Sequence, residues 1–433
     1  MTKFSWKPLL VLMVPVVVAC ETTSQTPAPT PKPVITPTPT PAPKPSIGFF
    51  KSSGHAGLDI WRIDFANRAV DRGFKVATVR SVLDGIQPMS IFLEQKIDIQ
   101  DQAEFSKPIW EYVDDTVSNT RLATGREKLQ SNAALFAALE AEYGVPARYL
   151  AGIWGMETSF GAVMGDFDAP SALSSMAVQG RRKSFAEGEL YAIMKLLERG
   201  DAKRSWLKAG WAGAMGHTQF MPSTYYAYAV DWTKDGTKDV WRARADALAS
   251  AANYLRASGW KAGQPALREV NLPEGFNYAL ADGTKRSIAA WRAQNLSPVG
   301  ASTLAPDDIS EAELWLPAGH TGPAFLLYDN FNVIKTYNRA DSYALAVALM
   351  AESFGGTRVP AKAWPRNIDR LNIDEVKQLQ AALNKLGYNA GPVDGIAGRG
   401  TKSALQRFQI ANNLLADGFP TRTALSAVLA ANG

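Results

Sequence analysis

Glu157 is the one carboxylate in the segment GIWGMETSFG (residues 152–161), whose other residues are apolar, glycine or hydroxyl-bearing. Burying a carboxylate is costly unless it is paired, hydrogen-bonded or neutral. A carboxylic acid whose pKa is raised by burial stays protonated near neutral pH, as a general acid requires. From this segment alone, a structural ion pair between Glu157 and Arg181 or Arg182 is the competing interpretation.

The element that must present Glu157 is a helix. The segment YGVPARYLAGIWGMETSFG has helical periodicity, and Pro146 suits the first helical position, where its missing N–H costs nothing. Three apolar side chains then lie about one turn before Glu157, on or near its face: Leu150, Ile153 and Trp154. The pattern therefore predicts an apolar setting for the carboxyl group.

A second segment, AGWAGAMGHTQFMPSTYYAYAVDW (residues 209–232), is suited to line a groove. Its small residues allow the backbone to approach a ligand, and Gln219 supplies an amide that both donates and accepts hydrogen bonds. Aromatic faces of the kind on which sugars stack are offered by Tyr225, Tyr226 and Tyr228. An apolar groove with few polar anchors is typical of a ligand site, although helix packing explains the glycines and the individual tyrosines as well.

The segment DWTKDGTKDVWRARAD (residues 231–246) has oxygen-bearing residues at the spacing of a cation-binding loop. Positions one, three, five and six of an EF-hand-like pattern are taken by Asp231, Thr233, Asp235 and Gly236. Position twelve is Arg242 instead of the bidentate glutamate, and Asp246 is the remaining candidate ligand. A weak Ca²⁺ or Na⁺ site and a metal-free turn rich in aspartate are both compatible with these residues.

Composition excludes several classes of function. The 433 residues include 46 Lys and Arg against 41 Asp and Glu, a formal net charge of +5 that suits a diffuse anionic partner. The basic residues form no block interleaved with aromatic residues, so we expect no nucleic-acid partner. Three histidines and one cysteine leave no zinc-type ligand cluster and exclude an intrachain disulfide.

The N-terminal residues predict a bacterial lipoprotein. A basic start precedes an apolar stretch that is too short to span a bilayer, and the sequence VVAC that ends at Cys20 resembles a lipobox. We interpret residues 1–19 as a signal peptide and Cys20 as the lipidated residue. The remaining Pro/Thr-rich part of residues 20–47 predicts an extended tether. We expect a periplasmic protein with a lipid anchor in the outer membrane, since Glu21 and not aspartate follows the cysteine.

Periodicity predicts a mainly α-helical protein with a small β-rich insertion. Helical patterns dominate from residue 48 onwards, at 57–73, 129–144, 247–259 and 343–354. Short runs bounded by Gly, Pro, Asn and Asp between about 265 and 335 predict the insertion. After a proline-containing linker at 359–370, residues 371–431 predict three helices around a core of Leu379, Leu383, Leu386, Leu405 and Phe408.

Several motifs together resemble the membrane-bound lytic murein transglycosylase B family over roughly residues 48–355. The motifs, in this order, are GIWGMETSFG, AGAMGHTQFMPSTYYAYAVDW and TYNRADSYALAV. The resemblance implies a lysozyme-like α-helical catalytic domain over residues 48–358, with Glu157 as its sole catalytic carboxylate. The substrate-binding residues that it implies are Tyr112, Arg181, Arg182, Gln219, Tyr254, Tyr337, Asn338 and Tyr343.

The same resemblance implies a reaction, the cleavage of the MurNAc–GlcNAc β-1,4 bond of peptidoglycan without water. Glu157 would act first as acid and then as base, and the product would carry a 1,6-anhydro ring. No second carboxylate is needed, and the nearest candidates, Asp166 and Asp168, are predicted to lie in a turn. Two alternatives stay open: a muramidase that admits water, and a wall-binding scaffold without activity.

The chain departs from the family at Ala209-Gly210, where members often carry Gly-Ser, so a hydroxyl group that could help hold Glu157 or the substrate's N-acetyl group is absent there. The resemblance implies no required cofactor. It does imply a variant calcium loop, with ligands from Asp231, Thr233, Asp235, the Thr237 carbonyl and Asp246.

Residues 371–431 resemble the peptidoglycan-binding type 1 domain through VKQLQAALNKLGY, GPVDGIAGRGTKSALQRFQ and LLADGFPTRTAL. The implied partners are peptidoglycan glycan strands and, through the lipid anchor, the membrane. We expect a monomer, with other cell-wall enzymes as further candidate partners.

Overall fold

The computed structural model describes residues 47–95, 103–301, 303–305, 307–356 and 359–433. The chain divides into two units, Met1–Lys44 and Pro45–Gly433, and the fold described below is that of the second unit. The predicted signal peptide, Cys20 and nearly the whole tether lie outside the described residues. Within the described ranges, no helix combines the length and apolar character needed to cross a membrane.

Helices form most of the described chain before the insertion. In chain order they are α1 (Ala56–Asp71), α2 (Val76–Leu83), α3 (Ser90–Leu93), α4 (Ala103–Ser106), α5 (Ile109–Thr116), α6 (Asn119–Ser131), α7 (Ala133–Tyr143), α8 (Ala147–Thr158), α9 (Ala169–Gln179), α10 (Lys183–Arg199), α11 (Pro222–Tyr228) and α12 (Arg244–Ala257). A two-residue strand before α9, β1 (Phe167–Asp168), pairs antiparallel with β2 (Lys208–Ala209).

A five-stranded antiparallel sheet follows α12, with the strand order β4-β6-β7-β3-β5. Its strands are β3 (Leu267–Asn271), β4 (Arg286–Ser287), β5 (Ser297–Pro298), β6 (Glu311–Trp315) and β7 (Ala324–Leu327). Helix α13 (Ile288–Ala293) buries Trp291 in a core with Leu314 and Leu326 of the sheet. The β-rich insertion predicted from short apolar runs is this sheet.

The chain returns to the helical part through α14 (Asp329–Ile334) and α15 (Asp341–Ser353). Helix α15 is buried along almost its whole length and packs against α8. Gly152 allows the close approach, because a Cβ there would lie 3.1 Å from the Val347 carbonyl oxygen. The last turn of α8 thereby comes to lie beside the first turn of α15.

The start of α8 differs from the prediction. Pro146 is the N-cap, with ψ of 138°, and the helix begins at Ala147. The reason is local hydrogen bonding, since the Glu140 carboxylate accepts from the Ala147 N–H at 3.0 Å and satisfies the first free amide. The start of the helix therefore moves by one residue, and Glu157 still falls in its last turn.

Three helices complete the chain: α16 (Ile373–Lys385), α17 (Arg399–Ala411) and α18 (Arg422–Ala430). Leu379, Leu383, Leu405 and Phe408 are buried in their core. The three helices dock on the insertion, where Gln406 Nε2 donates to the carbonyl oxygens of Tyr278 (3.3 Å) and Ala281 (3.2 Å). The mainly helical fold class with its β-rich insertion is confirmed, whereas the exact domain boundaries stay predictions.

Candidate active site

Glu157 lies in the last turn of α8, where the chain turns sharply out of the helix. Left-handed φ angles of 48°, 61° and 87° follow at Ser159, Phe160 and Gly161. Glycine is required at the third position, because a Cβ there would lie 2.4 Å from the His217 ring. The hydroxyl of Thr158 donates to the His217 carbonyl at 2.7 Å, so the end of α8 is held in place.

The surroundings of Glu157 produce a carboxylic acid that is half-protonated near neutral pH. Burial is the main cause that raises its pKa from 4.5 to about 7. The Tyr343 hydroxyl donates to Oε1 at 2.5 Å and lowers the pKa in part, while the charge of Glu104 raises it. Neither Arg181 nor Arg182 is among the groups that shift this pKa, so the shift supports an acid and not a structural ion pair.

Three tyrosines interact electrostatically with Glu157. Burial raises the pKa of Tyr112 on α5, of Tyr337 before α15 and of Tyr343 on α15, and the charge of Glu157 adds to each shift. All three hydroxyls therefore stay protonated and able to donate. The Tyr337 hydroxyl is buried and has no hydrogen-bond partner among the described residues. Leaving a buried hydroxyl unpaired is energetically unfavourable, and a bound ligand that accepts its hydrogen bond would remove that penalty.

An aromatic wall extends from Tyr337. The ring centroids of Tyr337 and Tyr254 are 5.3 Å apart, and those of Tyr254 and Tyr228 are 4.7 Å apart. The Tyr254 hydroxyl donates to the Thr336 carbonyl at 3.0 Å, which fixes its ring. Rings held in this way suit the apolar faces of sugars.

Tyr225 and Tyr226 contribute to packing, contrary to the stacking role predicted for them. Tyr225 is buried, and its hydroxyl lies 2.8 Å and 2.6 Å from the carbonyl oxygens of Asp201 and Lys238. The ring of Tyr226 is covered by the Arg199 guanidinium, 4.5 Å from its centroid. Consecutive residues of a helix point in different directions, and only the packing of α11 decides which tyrosine joins the wall.

Gln219 connects the loop after α8 to its own segment, residues 209–232, by hydrogen bonds. Its Nε2 donates to the carbonyl oxygens of Met164 (3.1 Å) and Gly216 (2.9 Å). A Cβ at Gly210 would lie 2.9 Å from Gln219 Oε1. Glycine in place of the family's serine therefore leaves room for the Gln219 amide in this chain.

Arg181 and Arg182 lie between α9 and α10. Arg181 is exposed, and the Arg182 guanidinium lies 4.0 Å from the Phe185 ring centroid. The charge of Arg182 also favours the ionised form of the buried Glu189, which burial otherwise disfavours by raising its pKa. Both arginines thus place positive charge at the start of α10.

Glu104, on α4, is a member of the site that the sequence did not reveal. Its Oε1 accepts a hydrogen bond from Asn338 Nδ2 at 3.0 Å, across 234 residues of sequence. Its carbonyl oxygen accepts from the Ser342 hydroxyl at 2.6 Å. The segment QAEFSKP around Glu104 has no motif that marks it, because the partners are brought together by the fold.

Asp168 has a structural role, and the segment GDFDAP forms β1 and the start of α9, not the predicted turn. Asp168 caps α9, since its Oδ2 accepts from the Ser171 N–H at 3.0 Å and the Ser171 hydroxyl at 2.7 Å. Arg204 pairs with its other oxygen at 2.6 Å. Pairing of β1 with β2 keeps this segment extended up to the cap.

The predicted cation loop brings three carboxylates together. Oxygens of Asp231, Asp235 and Asp246 all lie within 4.8 Å of one another. Asp231 accepts from the Gly236 N–H at 2.9 Å, and Asp246 accepts from the Thr233 N–H at 2.9 Å. The loop is thereby closed by its own hydrogen bonds, and its hard oxygen donors suit Ca²⁺ or Na⁺.

Two further positions of the loop limit its ligand set. Arg242, at position twelve, pairs with Asp239 at 2.6 Å and contributes no oxygen. The Thr237 hydroxyl and N–H both donate to Asp235, at 2.6 Å and 2.8 Å, and hold that carboxylate in the loop. The donor set therefore fits a hard cation with few protein ligands.

Comparison with known proteins identifies two families in the chain. Residues 58–352 match the transglycosylase SLT domain, and residues 372–428 match a putative peptidoglycan binding domain. The chain is 36% identical over 234 residues to membrane-bound lytic murein transglycosylase B of Escherichia coli (strain K12). This alignment covers 50% of the chain and 59% of that relative, less than two thirds of its length.

Solved structures show the same fold. SltB3 from Pseudomonas aeruginosa, in complex with NAG-anhNAM-pentapeptide, has a TM-score of 0.80 and 38% identity, over 87% of this chain and 100% of that chain. The Escherichia coli lytic transglycosylase Slt35 in complex with calcium has a TM-score of 0.56 and 28% identity, over 71% and 95% of the two chains. Since the family match spans most of its length, the protein belongs to the transglycosylase SLT domain family.

Proposed function

We propose that the protein is a lytic transglycosylase that cleaves the MurNAc–GlcNAc β-1,4 bond of peptidoglycan and leaves 1,6-anhydro-MurNAc ends. The observation that carries the proposal is Glu157, a carboxyl group with a pKa of about 7 beside three protonated tyrosines. Family membership supports the reaction class, and SltB3, a relative, was solved with NAG-anhNAM-pentapeptide.

In the first step, protonated Glu157 gives its proton to the bridging oxygen as the C1–O bond breaks and its electron pair moves to that oxygen. The carbonyl oxygen of the substrate's own N-acetyl group stabilises the positive charge that develops at C1. The Tyr343 hydrogen bond stabilises the carboxylate that Glu157 becomes. One acid therefore suffices for bond cleavage.

In the second step, the Glu157 carboxylate accepts the proton of the C6 hydroxyl, and O6 attacks C1 to close the 1,6-anhydro ring. Glu157 returns to its acid form, and no water is consumed. A carboxyl group with a pKa close to the working pH serves both steps, because neither protonation state is strongly preferred.

We infer that the remaining candidates bind the glycan. Tyr254 and Tyr337 supply aromatic faces, and the free hydroxyl of Tyr337 supplies a donor. Tyr112 and Tyr343 interact with the acid, and the Asn338 amide is hydrogen-bonded to Glu104. The positive charge of Arg181 and Arg182 suits the carboxylates of peptidoglycan stem peptides, and Gln219 shapes the loop after α8.

Mass spectrometry of the soluble products from purified peptidoglycan tests the proposal, with Glu157→Gln as the control. We expect anhydro-muropeptides from the unmutated protein and none from the variant. Release of no muropeptide by either protein, while both still bind the wall, would instead support the wall-binding scaffold.

Hydrolysis is the second candidate, and Glu104 is the observation that favours it. A muramidase needs a second carboxylate as nucleophile or as base for water, and Glu104 lies near enough to Glu157 to raise its pKa. The Oε1 atom of Glu104 accepts a hydrogen bond from Asn338, so one of the two carboxylate oxygens of Glu104 is already engaged. Reducing-end products, heavier by one water than anhydro products, would establish hydrolysis in the same experiment.

We propose that the loop of residues 231–246 binds Ca²⁺ or Na⁺. Asp231, Thr233, Asp235, Asp246 and the Thr237 carbonyl would supply the ligands. A cation there would hold the end of α11 against α12, and it would take no part in the reaction. The convergence of three carboxylates and the calcium complex of a relative support this proposal.

We propose that the protein is periplasmic and is anchored to the outer membrane by a lipid on Cys20. The lipobox and the Pro/Thr-rich tether support the anchor. We also propose that residues 371–431 hold the glycan near the catalytic site, since they match a putative peptidoglycan binding domain.

A further inference from the structure

We propose that Glu104 is a positioning residue of this active site, which orients the Asn338 amide, holds the start of α15 and sets the charge around Glu157. The inference rests on the proposed function, because it concerns the same site.

Glu104 ties α4 to the first turn of α15 and to the segment just before that helix by two hydrogen bonds. Its side chain accepts from Asn338 at 3.0 Å, and its carbonyl oxygen accepts from the Ser342 hydroxyl at 2.6 Å. Ser342 precedes Tyr343, the residue that donates to Glu157. The segment around Glu104 therefore holds the part of α15 that positions the acid.

The carboxylate also fixes which way the Asn338 amide faces. An ionised carboxylate only accepts hydrogen bonds, so the NH₂ group of Asn338 must point to Glu104. The amide oxygen then accepts from the Ala340 N–H at 3.0 Å. Both ends of the amide are therefore set by these two contacts.

Glu104 acts on Glu157 through charge as well as through geometry. Burial first, and then the negative charge of Glu104, raises the pKa of Glu157. Among the described residues, the other titratable groups that interact with Glu157 are the hydroxyls of Tyr112, Tyr337 and Tyr343, and of these three the Tyr343 hydrogen bond alone lowers the pKa of Glu157. Loss of the Glu104 charge should therefore favour ionised Glu157.

The test compares Glu104→Gln with the unmutated full-length protein. Glutamine keeps an oxygen that can accept from Asn338 but removes the charge. We expect the alkaline limb of the pH–rate profile to move down by roughly half a unit to one unit. On the acidic side, where the acid form of Glu157 still predominates, we expect a smaller loss of activity than on the alkaline side.

Two further variants separate geometry from charge. Glu104→Ala removes the acceptor as well, so we expect KM to rise in addition to the shift of the limb. Glu111→Gln is the matched control, since Glu111 is an exposed carboxylate on α5, and it should leave profile and KM unchanged. An unshifted limb in Glu104→Gln together with an unchanged KM in Glu104→Ala would overturn the proposal.

A readout without turnover keeps this test separate from the proposed function. The carboxyl ¹³C signal of Glu157, assigned through Glu157→Gln, reports its titration whether or not the protein releases muropeptides. We expect a lower midpoint in Glu104→Gln than in the unmutated protein. An equal midpoint in the two proteins would contradict the charge effect, and absence of products with a shifted midpoint would contradict only the proposed reaction.

Discussion

Glu157 combines burial, which favours its acid form, with a hydrogen bond from Tyr343, which favours its carboxylate form. These opposed contributions leave its pKa at about 7. A group that must first give and then take a proton needs such a balance, because a strong preference for one state would slow the other step. The chemistry of the site is therefore set by a few neighbours of one side chain.

Tyr343→Phe should shift this balance toward the acid. Phenylalanine keeps the ring but removes the hydrogen bond that lowers the pKa of Glu157, so that pKa should rise. We expect the alkaline limb of the pH–rate profile to move to higher pH, opposite to the shift expected for Glu104→Gln. A limb that stays in place or moves down would show that the Tyr343 hydroxyl does not stabilise the carboxylate.

Glu157→Gln should stabilise the folded protein increasingly as the pH rises. The pKa of Glu157 is higher in the folded chain than its ordinary value of 4.5, so the folded state holds the proton that the unfolded state releases. The unmutated protein therefore loses stability between about pH 4.5 and pH 7 as that proton is lost. We expect the variant to gain on the order of 1–3 kcal/mol at pH 8, and much less at pH 4.5.

Urea unfolding of both proteins at the two pH values measures this difference. A free energy of unfolding that differs equally at both values would mean that Glu157 titrates alike in the folded and unfolded chain.

At the scale of elements, the loop between α11 and α12 already has its shape from internal hydrogen bonds. Asp231 and Asp246 accept from backbone N–H groups across the loop, and Gly236 has φ of 88° at the sharp turn. These hydrogen bonds therefore offset part of the repulsion between the carboxylates without a bound cation. A cation would relieve the repulsion among three like charges.

Calcium should raise the melting temperature of EGTA-treated protein. For a weak site of this kind, 10 mM Ca²⁺ would stabilise by roughly 1–3 kcal/mol. Asp231→Asn should lose this effect, whereas Asp374→Asn, at an exposed position outside the loop, should keep it. If the melting temperature at constant ionic strength is the same with and without Ca²⁺ or Na⁺, the loop is a turn that binds no metal.

At the scale of the whole molecule, the three C-terminal helices pack on the β-rich insertion. Gln406 binds carbonyl oxygens of the insertion, and the Asp417 carboxylate lies 2.8 Å from His320 Nδ1. These contacts join the region matched to peptidoglycan binding with the region that contains Glu157. Glycan held by the C-terminal helices would thus stay attached to the catalytic unit.

Cys20→Ala should release the protein from membranes without changing its chemistry. The substitution removes the thiol that the lipid would modify, far along the sequence from Glu157. We expect the unmutated protein in the outer-membrane fraction. The Cys20→Ala variant should be either soluble or still attached to its signal peptide. The purified soluble variant should release the same anhydro-products as the unmutated protein. Equal distribution of the two proteins between fractions would refute the anchor.

Features encoded over a few neighbouring residues were predictable from the sequence. The apolar turn before Glu157, the spacing of Asp231 and Asp235 and the short runs of the insertion each follow from local periodicity or turn chemistry. For the same reason the fold class was predictable, because helical and strand periods differ. Motif order then carried the family resemblance.

Only the tertiary structure decided which remote groups meet at the acid. The Tyr343 hydrogen bond spans 186 residues, and Glu104, without any local motif, lies beside Asn338. Packing likewise decided that Tyr225 is buried and that Asp168 caps a helix. The apolar turn before Glu157 was enough to predict a pKa raised by burial, but the Tyr343 hydrogen bond and the Glu104 charge that also act on this pKa come from distant segments, so the sequence did not reveal them.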